Sequence, residues 1–249
     1  MYQTGLVSVS FRSLSPREVI EAAANANLKW IEWGSDVHAP CNNISRLEEI
    51  AALQKEFGIA CSSYGTYFRI GVNPVEELHD YIRAAKILGT NILRLWCGNK
   101  GSADFASEEL EPFYALCRQL ASIAESAGVI LCMECHGGTL TDAAAPAYAL
   151  MQAVDSPAFR MYYQPSQYRS FEDNIAYAKL LSPYTYHLHV FNWEGNLCFP
   201  LKDAIGQWQA YLSCFSGDRT LLLEFMPDNR VESLPDEANA LFEIIGGTL

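Results

Sequence analysis

Short apolar runs alternate along this chain with longer stretches whose apolar residues recur at helical spacing. The run GLVSVSF at 5–11 reads as a first strand. Ser15-Pro16-Arg17-Glu18 then starts a helix, with a hydroxyl at the cap, proline in the first turn and glutamate three residues after the cap. The second strand spans 28–33, followed by a helix at 45–57 that Gly58 stops. The third strand is 59–63, the next helix 74–88 with Gly89 at its end, and the fourth strand 91–96. The second half repeats the pattern. A long helix at 107–127 ends at Gly128 and leads into a strand at 129–134. Helix 141–154, with a kink expected at Pro146, precedes strand 159–164. Helix 171–181, strand 184–190, helix 201–215, strand 220–224 and a closing helix at 234–245 complete the chain.

That makes eight strand–helix units of about 31 residues each. Short apolar strands separated by helices pair in parallel, and eight units in this length predict a single (β/α)8 TIM barrel, one domain over 1–249. The alternative is a doubly wound open sheet. It carries fewer strands and a glycine-rich first turn, whereas the first turn here, SFRSLSP, has no glycine.

Composition narrows the class of function. Half of the residues are apolar, which excludes disorder. A net charge of −12 argues against a nucleic-acid partner, because phosphate binding needs clustered Lys and Arg. One local Arg or Lys would still suffice for a small anion. Eight cysteines show no disulfide-scaffold pattern. Cys132 and Cys135 have CxxC spacing, but they lie on an expected buried strand and read as plain thiols in a reducing compartment. The start of the chain lacks the features of a secretory signal, and no apolar run reaches the roughly 18 residues that span a membrane. A cytoplasmic enzyme with no membrane partner is expected, and homo-oligomerisation is left open.

Active sites of such barrels form at the C-terminal strand ends. Glu134, Gln164, His189 and Glu224 close strands five to eight. The runs leading to Glu134 and Glu224 are too apolar for a bare carboxylate, so each needs a cation, a proton or hydrogen bonds. A shared divalent ion with His189 as a third ligand would satisfy both; a salt bridge to a neighbouring Lys or Arg is the plainer alternative. Alternation along strands pairs Glu134 with Cys132, Gln164 with Tyr162, His189 with His187 and Glu224 with Leu222, each partner one layer deeper. Arg94 is unusual inside the strand ILRLW, and pairs with Glu32 or Glu134 or binds a substrate oxygen. Glu32 itself would hold a basic residue or a substrate hydroxyl. His187 reads as a hydrogen-bonded core residue or a substrate contact. Trp96, with Trp33, Tyr64 and Trp193, would wall the site. His38 sits in the loop after the second strand, with surface exposure as one reading.

These motifs resemble the xylose isomerase-like TIM-barrel superfamily, and within it the sugar phosphate isomerase/epimerase branch. The resemblance covers nearly the whole chain and rests on IEWGSDVHAP, SSYGTYFRIG, ILRLWCGNKGS, MECHGG, QPSQ, HLHVFN and LLLEF, in that order and spacing. It implies that Glu134 and Glu224 act both as metal ligands and as acid–base groups, that His189 is a metal ligand, and that the substrate is a small carbohydrate. It places His136 and Gln167 near the substrate, and with the residues weighed above the candidate substrate contacts are Arg94, His136, His187, Glu32, Trp96 and Gln167. The family commonly reads Asp-x-x-His on strand six, where this chain has Gln164-Pro165-Ser166-Gln167. Phe191 and Asn192 likewise replace a usual Lys and Asp. A Gln gives a cation only a carbonyl dipole, so the expected cofactor is a divalent ion (manganese, zinc, magnesium or cobalt) held weakly, or no ion at all. The activity implied is isomerisation or epimerisation of a keto-sugar or related polyol through Glu-mediated proton transfer beside a carbonyl. The alternatives are a dehydratase acting on a cyclitol or keto-sugar, and a metal-free, non-catalytic sugar-binding relative. An endonuclease of the same superfamily would need more metal ligands and a different net charge.

Overall fold

The computed structural model describes residues 2–246. Eight parallel strands close into a barrel: β1 Tyr2–Val7, β2 Trp30–Gly34, β3 Ala60–Ile70, β4 Ile92–Cys97, β5 Ile130–Glu134, β6 Phe159–Tyr163, β7 Thr185–Val190 and β8 Arg219–Leu223. Each strand pairs with the next in sequence, and β8 closes on β1 with Tyr2 opposite Arg219 and Leu6 opposite Leu223. Eight α-helices alternate with them: α1 Pro16–Asn25, α2 Ile44–Phe57, α3 Leu78–Leu88, α4 Ser107–Ala127, α5 Ala144–Val154, α6 Phe171–Leu181, α7 Ile205–Leu212 and α8 Leu234–Ile244. The chain is a (β/α)8 TIM barrel, as its periodicity predicts. No helix among the described residues is long and apolar enough to cross a membrane.

The two-residue period of the strands divides the core in two. Outward side chains such as Leu6, Ile31, Leu93, Leu131 and Leu221 pack with the helices in one large cluster. The smaller cluster holds Val7, Val9, Ile92, Cys132, Tyr162 and Leu222, and fills the barrel itself. The expected pairing of Cys132, Tyr162 and Leu222 with the strand-end residues above them holds.

Several boundaries differ from expectation. The first strand runs Tyr2–Val7, and residues Ser8–Phe11 form a 3-10 turn. The polar residues of that run are spent on cross-links: Ser8 Oγ accepts from Gly34 N at 2.9 Å, and Ser10 Oγ accepts from Phe225 N at 2.9 Å. The third strand extends to Ile70, with a break in register between Gly65 and Arg69 that carries Tyr67 to the barrel mouth. The helix expected from 141 starts at Ala144, because Thr139 and Thr141 donate to loop carbonyls of His136 and Glu134. Pro146 therefore sits in the first turn, where a missing N–H costs nothing, and needs no kink. A two-residue antiparallel ladder, Trp193–Glu194 with Leu197–Cys198, is too short for periodicity to reveal.

Gly5 is a point of close approach inside the barrel. A Cβ there would stand 2.3 Å from Trp30 O and 2.8 Å from Leu222 Cδ2. Backbone cannot yield as a side chain does, so β1 and β2 would have to part. Gly5→Ala is expected to cost about 1–3 kcal/mol in urea denaturation, with overpacking as the cause.

Candidate active site

At the C-terminal end of the barrel, Glu134 closes β5 and His189 lies in β7, while Gln164 and Glu224 each follow directly on a strand, β6 and β8. Ligand atoms of Glu134, His189 and Glu224 all lie within 4.8 Å of one another. The turn after Glu224 is tight. Phe225 holds a left-handed φ of 60°, unusual for a bulky residue, and its ring packs at 5.5 Å on Trp193.

Beneath this group lies a buried ion network. Arg94, with 4% of its side chain exposed, donates from Nε to Glu32 Oε1 at 2.7 Å and from Nη1 to Glu134 Oε2. Trp96 Nε1 donates to the same Glu134 oxygen. The other Glu32 oxygen accepts from Ser63 Oγ at 2.9 Å, and Ser63 in turn accepts from Tyr162 OH at 2.6 Å. The absence of a Cβ at Gly65 makes room, since one there would stand 2.8 Å from both Arg94 Nη2 and Glu32 Oε1. Burial alone would push both carboxyls up, but Arg94 and His189 outweigh it and hold Glu32 and Glu134 well below the usual carboxylate range.

Glu224 is different. Burial and the neighbouring Glu134 charge push its carboxyl above the ordinary value, against an opposing pull from His189. Its side chain makes no hydrogen bond among the described residues; His189 Nδ1 lies 3.5 Å from Oε2. His189 Nδ1 donates to Gln164 Oε1 at 2.9 Å and lies 3.7 Å from Glu134 Oε1. Its Nε2 is buried without a hydrogen-bond partner, 3.5 Å from Glu32 Oε1. Burial lowers the imidazole, but the surrounding carboxylates win and raise it to about 10. Three carboxyl groups thus face two basic groups, Arg94 and His189. Two carboxylates, an imidazole and an amide oxygen form a donor set that suits a divalent cation, which would take the place of the His189 proton.

These shifts set opposite pH limits on stability. His189 has a raised folded pKa, so its contribution is whole below about 6.5 and is lost as pH climbs through about 10. Glu32 and Glu134 have depressed values, so theirs is present above about 4.5 and lost as pH falls further. In the presence of a chelator, the denaturation midpoint is expected to decline from pH 7 to 10, and to flatten over that range in His189→Gln.

A cavity of about 460 Å3 opens above Glu134 and Glu224. Arg94, Trp96, His136, Gln164 and Gln167 line it, with Tyr67, Tyr168, Phe191, Trp193 and Phe225 as aromatic walls. The His136 ring lies 5.4 Å from that of Trp96. Gly195 N donates to Gln167 O at 3.0 Å and Tyr168 OH to Asn196 Oδ1 at 2.6 Å, so the short ladder is tied to the β6 loop across the mouth.

Two expected substrate contacts do not reach this cavity. Glu32 is fully buried and committed to Arg94 and Ser63. His187 lies one layer deeper, its Nε2 3.4 Å from Ser62 O and its ring against Tyr162, and burial lowers its pKa to about 4. His38 is buried, not surface, with Nε2 3.0 Å from Leu14 O. Cys132 and Cys135 are free, and burial raises both thiols, that of Cys135 to about 12.

Arg12, Tyr67 and Tyr168 also line the cavity and were not anticipated. Arg12 directly follows the first expected strand, which was signal enough to place it at the C-terminal face. Tyr67 was hidden by the strand extension, and Tyr168 by a loop without pattern.

The chain is 24% identical over 200 residues to a 3-dehydroshikimate dehydratase of Bacillus anthracis, covering 75% of this chain and 70% of that protein. The crystal structure of the probable 3-DHS dehydratase AsbF from the same organism superposes with a TM-score of 0.78 at 20% identity, covering 97% of this chain and 98% of that one. D-psicose 3-epimerase from Clostridium cellulolyticum H10 superposes with a TM-score of 0.70 at 14% identity, covering 98% of both chains. At these identities the structural likenesses speak to fold. The family model described as xylose isomerase-like TIM barrel matches residues 20–201, most of the chain. With that match added to the closed barrel and the cluster at its strand ends, the chain belongs to the xylose isomerase-like TIM barrel family.

Proposed function

We propose that the protein is an enzyme that moves protons at the carbon beside a carbonyl of a small carbohydrate or related polyol, as an isomerase or epimerase. The observation that carries this reading is the divergence of two carboxyls facing one cavity. Glu134 is held ionised by Arg94 and Trp96, while Glu224 is pushed toward its protonated form. Such a pair supplies a base and an acid at one pH. Glu134 takes the proton from the carbon, and Glu224 delivers one from its own side. Trp96 and Tyr67 wall the reacting carbon, and Gln167 and His136 offer hydrogen bonds to hydroxyls. A divalent ion held by Glu134, Glu224, His189 and the Gln164 amide oxygen supplies Lewis-acid polarisation of a carbonyl when bound.

Loss of water is the second reading, favoured by the similarity to a dehydratase. It uses the same base, and Glu224 gives its proton to a departing hydroxyl instead of to carbon. One experiment separates the two. A panel of ketohexoses, ketopentoses, cyclitols and cyclic hydroxyketones is incubated with the protein in deuterated water, with each divalent ion and without. Deuterium gained at carbon without loss of mass from water supports isomerisation or epimerisation, and loss of water supports the second reading. No exchange in any member would sink both and leave a sugar-binding relative.

The strand-six substitution yields its own prediction. Gln164→Asp adds ligand charge beside Glu134 and Glu224, and is expected to tighten zinc or manganese binding by about tenfold or more in isothermal titration calorimetry. The same change adds a fourth, half-buried carboxyl group to the cluster, so it lowers stability when a chelator is present.

A further inference from the structure

The other guanidinium at this cavity stands at its rim. Arg12 follows the first 3-10 turn, and both it and Tyr67 line the cavity, whereas Asp36 does not. Arg12 is no loose surface side chain. Its Nε donates to Asp36 Oδ2 at 2.7 Å, its Nη2 to Tyr67 OH at 2.7 Å and its Nη1 to Val9 O at 3.2 Å. Tyr67 OH closes the ring by donating to the same Asp36 oxygen at 2.9 Å.

A guanidinium has five N–H donors, one on Nε and two on each terminal nitrogen. Three are used here, which leaves one on Nη1 and one on Nη2. Free N–H groups on the terminal nitrogens are what a guanidinium offers to the oxygens of a carboxylate or phosphate. Arg94, the cavity's other guanidinium, sits at the floor with its charge shared between two carboxylates, Glu32 and Glu134, whereas Arg12 faces one, Asp36.

We propose that Arg12 is an anion-recognition residue, held in place by Asp36 and Tyr67, and that the substrate carries a carboxylate or phosphate at the end remote from its reacting carbonyl. The inference rests on the proposed function only for which end of the substrate turns inward. Arg12 sets orientation by a charge-assisted contact at the rim.

The test measures binding, not turnover, so it fails or succeeds apart from the proton-exchange experiment. Two pairs of probes are titrated by calorimetry: 3,4-dihydroxybenzoate against 3,4-dihydroxybenzamide, and fructose 6-phosphate against fructose. The wild-type protein is expected to prefer the anionic member of one pair by about tenfold or more, and the pair that shows it tells carboxylate from phosphate. Arg12→Gln is expected to abolish that preference while leaving affinity for the neutral probe within about twofold. Equal affinities within both pairs, including no measurable binding of any probe, would overturn the proposal. So would a preference that survives Arg12→Gln.

Discussion

Arg94→Leu is expected to unfold at much lower denaturant concentration than the natural chain, with a loss of about 3–5 kcal/mol. The reason is what it leaves behind. Glu32 is completely buried, and Glu134 nearly so, and Arg94 is the cation between them. Without it, both carboxyls must take up protons or draw in water. Ser63 and Trp96 still donate to them, but neither supplies charge. The double variant Arg94→Leu/Glu32→Gln should recover part of the loss, because it removes one of the two stranded charges. A loss below about 1 kcal/mol for the single variant would show that the network is far better hydrated than its burial indicates.

Glu224→Gln is expected to lower proton exchange at carbon by about 10²–10⁴, the usual worth of a positioned acid or base. Glu134→Gln should reach the same range, but it also takes a carboxylate from Arg94, so its effect mixes chemistry with structure. Glu224 is the cleaner probe. It has no hydrogen bond to lose among the described residues, so the structural cost of the variant is confined to its attraction for His189. It should also lower the pKa of His189, because one of the carboxylates that raise it is gone. Following deuterium incorporation and the imidazole signal by NMR checks both. Exchange within about threefold of the natural chain would remove Glu224 from the chemistry.

Much of the scaffold was legible because periodicity reports which face of an element is buried. The same signal marked Glu134, Gln164, His189 and Glu224 as strand-end residues, and the barrel brings them together. Depth was less legible. Alternation says that His187 and His189 point the same way, yet not that only the upper one lies beside Gln164 and the carboxylates. Glu32 was set at the right strand end, and its pairing with Arg94 from β4, 62 residues away, was among the expected alternatives; what was not legible is that Arg94 bridges Glu32 and Glu134 at once. Arg12 and Tyr67 meet each other and Asp36 from three places, the segments after β1 and β2 and the far half of β3. No local pattern encodes such a meeting, because each residue is ordinary in its own segment.

The interlocking of Glu32, Arg94 and Glu134 bears on how such a barrel drifts over generations. A change at any one of the three strands a charge on another strand, so single steps there are closed and only paired replacements survive. Gln164, Gln167 and Phe191 stand outside that lock and face the cavity. With Asn192, which does not line it, they are the positions where the resemblance leads one to expect a different residue. The lineage could exchange its chemistry by single substitutions along the rim while the charged floor stayed fixed beneath it.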